Sequence, residues 1–315
     1  MASSGLYPQS MSGLAIGLSN PLGPLHVQMN GTSNVFLVNS NALIGIGKSN
    51  PVYALDVVGE INASSNIRIS GQSLQGLGVP NQVVFTSGSS TWSVPTGVTA
   101  IQVEMVGGGG AGGSYGPSSQ NQPSSGGGGA GGYVRATLAV TGGSTTLTYT
   151  VGTGGAAAAA GQNNGGTGNN TTLSVSGASG SIVATGGAGG GYNTASAYAN
   201  GLGGIGGVPI NTIAAPTLVS ILSANGGDGF DGSTGVAGVA AGGGGSGGAS
   251  YFGSGGRGDV ISGTGIRAGT TYGSGGGGAS GGNGSLAGAA GAPGVIIITY
   301  FSASGLAPVY TATAP

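Results

Sequence analysis

Glycine fills one position in three between Gly107 and Gly294, 64 of 188 residues. Each ordered glycine costs about 0.5–1 kcal/mol more backbone entropy than alanine, so the block carries a penalty of tens of kcal/mol by that measure. Glycine has no side chain with which to offset it. The compensation must come from backbones that pack and hydrogen-bond against one another, which points to a slab or rod rather than to an ordinary side-chain core. Collagen is excluded because it needs glycine at every third position, and Gly107-Gly108-Gly109-Gly110 breaks that period. A flexible linker is disfavoured as well. Disordered segments carry net charge and lack apolar runs, whereas this chain of 315 residues has five basic and six acidic residues and is 38% apolar.

Scarcity of charge also narrows the function. A formal net charge of -1 leaves no basic face for nucleic acid and no polybasic patch for a membrane surface. Without cysteine there is neither a disulfide nor a thiolate zinc site. The apolar run Val295 to Phe301 is too short to span a bilayer, so no membrane insertion is expected. The first basic residue is Lys48, so no charged segment of a signal peptide is visible, and synthesis in a cytoplasm is expected. Asp56, Glu60, Glu104, Asp228, Asp231 and Asp259 form no close pair of the kind glycoside hydrolysis requires. No enzyme, no cofactor and no metal site is expected.

The N-terminal part repeats itself. Leu14 to Val27 aligns without a gap on Ile44 to Val57, matching Gly17/Gly47, Ser19/Ser49, Asn20/Asn50, Pro21/Pro51, Leu25/Leu55 and Val27/Val57. Each copy reads as strand, Asn-Pro turn and strand. Leu55-Asp56-Val57 and Ile67-Arg68-Ile69 alternate as half-buried strands do. Strands this short cannot bury an apolar face alone, and association of identical chains about a shared axis is the expected remedy. Ile44-Gly45-Ile46-Gly47, Asn50-Pro51, Ala54 to Gly59 and Ile61 to Ile67 resemble the shaft repeats of viral tail-fibre and spike proteins. The resemblance implies a trimeric, intertwined β shaft that attaches to other virion proteins. Ala42 to Ser49 approximates a phosphate-binding loop, but Ala42 stands where the first glycine belongs and the chain continues as strand rather than helix.

The glycine-rich domain follows a linker at 72–82. Strands are expected at 83–86, 91–95, 98–106, 133–140, 145–151, 173–175, 182–185 and 295–301, the last buried on both faces. Between them lie glycine blocks at 107–113, 126–132, 186–191, 201–207, 242–248, 253–258 and 273–282, the first two identical. Extended left-handed glycine helices lying side by side would supply the missing compensation. Trp92 to Val98, Val103 to Gly110 and Gly291 to Ile298 resemble the glycine-rich domains of phage tail fibres and tail-tip adhesins. That resemblance implies a polyglycine II scaffold whose intervening segments bind a receptor.

The expected organisation is all-β: an N-terminal attachment segment and shaft at 1–71, a linker at 72–82, the glycine-rich domain at 83–301 and a tail at 302–315. Tyr115, Tyr192, Tyr198, Tyr251, Phe252 and Tyr272 interrupt the glycine blocks and are the candidate receptor-binding residues. Tyrosine among Ser, Asn and Gly gives adaptable contacts at low entropic cost and suits stacking on sugars. The opposite reading, tyrosines as structural caps on glycine surfaces, carries equal weight. Arg257-Gly258-Asp259 is an integrin-type tripeptide of the sort a glycine-saturated chain produces by chance. The expected function is a virion-surface fibre or spike, a homotrimer whose glycine-rich domain attaches to a host surface glycan or protein. The alternatives are a minor capsid or decoration protein of purely structural role and an ice-binding glycine-helix protein.

Overall fold

The computed structural model describes residues 14–16, 25–29, 33–38, 41, 43–48, 50, 52–58, 67–69, 72–74, 80–116, 124–192, 201–233, 242–259, 265–281, 284–301 and 310–313. Regular structure among them is β-strand alone, and the fold is all-β. Contacts divide the chain into two units, Met1–Leu74 and Gln75–Pro315.

In the first unit, strands β1 (Leu14–Ile16), β2 (Leu25–Met29), β3 (Ser33–Val38), β4 (Ile44–Ile46) and β5 (Leu55–Val57) form one sheet in chain order. The sequence repeat is visible in the pairing. Leu14 lies opposite Leu25 in the parallel pair β1–β2, and Ile44 lies opposite Leu55 in the parallel pair β4–β5. Antiparallel β3 joins the two copies. Parallel neighbours usually need a crossover of a dozen residues or more, yet β4 and β5 are joined by residues 47–54. Gly47 opens this connection at φ 68°, in the left-handed region. Its far end is fixed by Asp56, whose carboxylate accepts from Val52 N (3.0 Å) and pairs with Lys48 Nζ (2.8 Å). The first copy has Leu18 and His26 at these two positions, so it lacks that ion pair. β6 (Ile67–Ile69) and β7 (Gln72–Leu74) form a separate antiparallel pair.

The second unit rests on two facing sheets. One has the order β16 (Leu218–Ala224), β11 (Tyr133–Ala139), β10 (Ala100–Val106), β17 (Val295–Phe301), β8 (Pro80–Phe85), β18 (Tyr310–Thr313). The other has the order β15 (Pro209–Asn211), β14 (Ile182–Ala184), β13 (Thr171–Val175), β12 (Thr146–Thr150), β9 (Ser89–Ser93). Inward residues of both sheets make one core, including Val103, Met105, Val134, Leu138, Ile296 and Ile298 against Leu147, Leu173 and Ile182. Phe85 stacks on Tyr149 across it at 4.0 Å. The expectation that β17 is buried on both faces needs correction. Ile296, Ile298 and Tyr300 are buried, but Ile297 and Thr299 are only half-buried, because among the described residues no second layer covers the outer face there. Strands β15, β16 and β18 had no counterpart in the sequence reading.

The glycine blocks continue the strands of this sandwich. Segment 107–116 extends β10 and segment 124–132 leads into β11, so the hairpin pairing of Val106 with Tyr133 passes directly into Gly107 N–H donating to Gly132 O. Beyond that point the bonding pattern changes. Gly107, Gly110 and Gly113 donate to Gly132, Gly129 and Gly126. Gly108, Ala111 and Ser114 donate to Asn169, Gly166 and Asn163, while Gly109, Gly112 and Tyr115 donate to Ala292, Ala289 and Leu286. Successive residues thus address three different neighbours in rotation, with a period of three that the glycine spacing does not show. Segment 125–132 does the same toward 273–279, 185–191 and 227–230, and accepts from 107–113, 201–207 and 245–248. It is therefore surrounded by six neighbouring segments. A Cβ on Gly128 would sit 2.1 Å from Gly110 O, which explains why the two identical blocks at the centre are nearly pure glycine.

Segments with fewer glycines, 163–169, 226–233, 265–269 and 286–294, join the same array. They lie where a side chain has room to leave it. In segment 201–208 the non-glycine residues Leu202, Ile205 and Val208 recur every third position and are 69%, 71% and 44% exposed. Its neighbour supplies carboxylates instead of carbonyls at the same period. Gly203 N donates to Asp231 Oδ1 and Gly206 N to Asp228 Oδ1, each at 2.7 Å.

Candidate functional site

The segment registers give the glycine-rich unit two poles. The chain enters at Pro80, opposite Phe301, and both positions lie at the ends of β8 and β17 that point away from the glycine array. At the opposite pole lie the segment ends at 115–116, 124–126, 191–192, 201–202, 232–233, 243–244, 258–259 and 279–281. These ends are tied together by bonds such as Gly113 N to Gly126 O, Gly191 N to Leu202 O, Gly232 N to Gly201 O and Ala279 N to Gly113 O. The turns at 250–253 and 269–273 lie at the sheet end instead.

The sequence candidates therefore do not form one site. Tyr115 stands at the far pole but is buried, 4% exposed, in a bridge with Leu286. Burial pushes its phenol pKa upward. Tyr192 is half-buried at the same pole, with its N–H donating to Asn164 Oδ1 at 3.0 Å. Tyr198 lies outside the described residues. Tyr251, Phe252 and Tyr272 belong to the sheet-end turns, which touch through Thr271 Oγ1 donating to Ser254 O.

Here the structure supplies partners that sequence reading missed. Tyr251 is 55% exposed, and its ring stacks on buried Tyr133 at 3.7 Å and 9°. Phe252 meets both rings edge-on, at 6.0 Å from Tyr133 and 5.7 Å from Tyr251. Tyr133 OH donates to Glu104 Oε1 at 3.1 Å, and Arg135 Nη1 lies 3.9 Å from the same oxygen. Desolvation, followed by the Glu104 charge, drives the Tyr133 phenol pKa far above its ordinary value. It stays a protonated donor at any physiological pH. The result is a buttressed aromatic shelf: one ring fixed below and one presented to solvent, beside one acid and one base. The alternation of β11 places Tyr133 and Arg135 on one face, and the register sets Glu104 opposite Arg135. That pairing was the available signal.

A second concavity, an open groove of about 570 Å³, lies where the sheets meet the array. Ser89, Thr150, Thr153, Asn169 and Asn170 line it without a charge or an aromatic ring. The integrin-type tripeptide is not displayed as a unit. Arg257 is exposed, but Asp259 is fully buried, its N–H donating to Gly278 O and its carbonyl accepting from Gly244. The phosphate-loop approximation also resolves into strand, with Lys48 held by Asp56. Among the described residues, no three His, Cys, Asp or Glu side chains gather in a group able to hold a metal.

Comparison with curated proteins gives no match to this chain. A family model described as a glycine-rich domain matches residues 85–301, the span from the end of β8 to the end of β17. It covers the two-sheet sandwich, apart from most of β8 and all of β18, together with the whole glycine array. The chain belongs to this glycine-rich domain family.

Proposed function

We propose that the chain is a virion-surface fibre or spike protein: an oligomeric N-terminal shaft carries a glycine-rich domain that attaches to a host-surface glycan or protein. In this reading the array is a bundle of polyglycine II helices acting as a stiff spacer. The observation that carries the reading is the polarity of the glycine-rich unit. The chain enters at one pole, and Tyr115, Tyr192, Gly201, Gly232 and Ala279 stand at the other. Such an arrangement holds the residues of the far pole at a fixed distance from the entry end, as rigid scaffolds hold binding loops elsewhere. The N-terminal repeat supports the shaft, since both copies pair their strands in the same register and the second leaves Val52, Tyr53 and Leu55 exposed in the single chain.

The test is attachment of the purified full chain to candidate host cells. Replacing residues 193–200 with a Gly-Ser segment of equal length should reduce binding at least tenfold while leaving the melting temperature unchanged. Failure of the parent chain to bind any surface would favour a purely structural role in the particle.

A further inference from the structure

One flank of the glycine-rich unit is apolar from end to end. Segment 201–208 runs into β15, and β16 runs into segment 226–233. The two segments are bonded to each other, with Gly226, Gly229 and Gly232 donating to Gly207, Gly204 and Gly201. On these four consecutive elements stand Leu202, Ile205, Val208, Ile210, Val219, Ile221, Leu222 and Phe230, between 41% and 71% exposed. Among the described residues of this unit, the remaining exposed large apolar side chains are only Tyr251, Tyr272 and Phe301. β15 and β16 are also the terminal strands of their sheets on this flank. The β16 sequence, Leu-Val-Ser-Ile-Leu-Ser-Ala, has neither charge nor proline, and its exposed apolar residues project from both faces. A strand with that pattern belongs inside a sheet. An uncharged apolar edge of seven residues is a template for pairing unless something covers it.

We infer that this flank is an interface between copies of this chain, with β16 meeting the same flank of a second copy. The area fits. The eight exposed fractions together equal about four and a half whole residues. At roughly 150–250 Å² for an aromatic side chain and somewhat less for an aliphatic one, and counting both faces of β16, that is on the order of 700–900 Å² per copy, against about 800 Å² per partner in a stable interface of standard size. The chemistry fits a like partner too. The flank's two carboxylates, Asp228 and Asp231, accept from the array's own Gly206 and Gly203, and Arg135, opposite Leu222 of β16, lies 3.9 Å from Glu104, so the charges at this flank have partners within the chain. An apolar face with an open strand edge is complementary to itself, which is what a symmetric contact requires. The inference is independent of the attachment reading above.

The absence of native cysteine gives a direct test in the full chain. Ile205→Cys introduces a unique thiol on the flank, and Ser90→Cys places a control on exposed β9, the terminal strand at the other edge of its sheet. The flank thiol of the Ile205→Cys variant should react with a soluble maleimide at least tenfold more slowly than the control thiol of the Ser90→Cys variant. Sedimentation should return a mass of more than one chain. Equal reaction rates at all concentrations would overturn the inference even if the chain oligomerises through its N-terminal unit. So would slow reaction in a particle of single-chain mass. If Ile205→Cys does not fold, Val219→Cys carries the same comparison.

Discussion

A methyl group on residue 109 would sit 2.0 Å from Ser274 O and 2.4 Å from its carbon, inside backbone that cannot move aside. Gly109→Ala should therefore destabilise the glycine-rich unit by about 1–3 kcal/mol, the usual cost of overpacking, and Gly109→Val by more. Exposed Ala157→Val should stay within about 0.5 kcal/mol of the parent, as surface changes usually do. Thermal melts of the three variants would check this, and an unchanged melt for Gly109→Val would refute close packing at the centre of the array. Asp56 gives a second prediction at this scale. The Lys48 hydrogen bond, then that from Val52 N, lowers its carboxyl pKa. The contribution of Asp56 to the β4–β5 connection should be fully present above the ordinary carboxylate pKa near 4 and should vanish as pH falls through the lower folded value. A carbon-detected NMR titration of Asp56 would show the depressed midpoint, and Lys48→Met should return it toward the ordinary value.

Elements differ in how openly the sequence announces them. β10, β11, β12 and β17 are legible because glycine-free runs rich in β-branched and aromatic residues stand beside the glycine blocks. β16 had no counterpart although Leu218 to Ala224 is mostly apolar, because Ser220 and Ser223 interrupt the run and leave neither a strict alternation nor an unbroken apolar stretch. Its partner, β11, lies some 80 residues or more earlier, and local pattern cannot reveal such a pairing. The array itself was legible only as a requirement that glycine backbones bond to each other. At the buried centre its period of three resides in bond direction rather than in composition, and only at the exposed edge, where an outward residue escapes the need for glycine, does the period surface in the sequence, as at Leu202, Ile205 and Val208. Asp228 and Asp231 illustrate this, being spaced by three so that each meets an N–H of segment 201–208. Asp231→Ala should free Gly203 N, costing about 1 kcal/mol at this exposed position. Hydrogen exchange would then show faster loss of protection at Gly203 than at Gly206, and equal rates would argue against the carboxylate as the edge partner.

On the scale of the whole glycine-rich unit, the candidate site was legible in its exposed half only. Tyr251 and Phe252 stood out as interruptions, but Tyr133, the ring beneath them, lies 118 positions away and looks like an ordinary strand residue. The separation of the two poles was hidden for the same reason, because it depends on which segments run up and which run down. It yields a prediction. If recognition occurs at the pole bearing Tyr192, Tyr192→Ala combined with Tyr198→Ala should weaken attachment at constant melting temperature. Tyr251→Ala should instead leave attachment intact and lower stability by about 0.5–1.5 kcal/mol, the value of an aromatic pair. With so few charges, attachment should change less than about twofold between low and high salt. The two-pole arrangement also decides how the unit meets a pulling force. A load applied between Pro80 and the far pole runs along the segment axes, while the lateral hydrogen bonds lie across it. No end of the bundle can peel one bond at a time, so many bonds must shear together. A glycine-rich unit built this way resists tension through the number of its weak bonds acting at once, and it does so without a single disulfide.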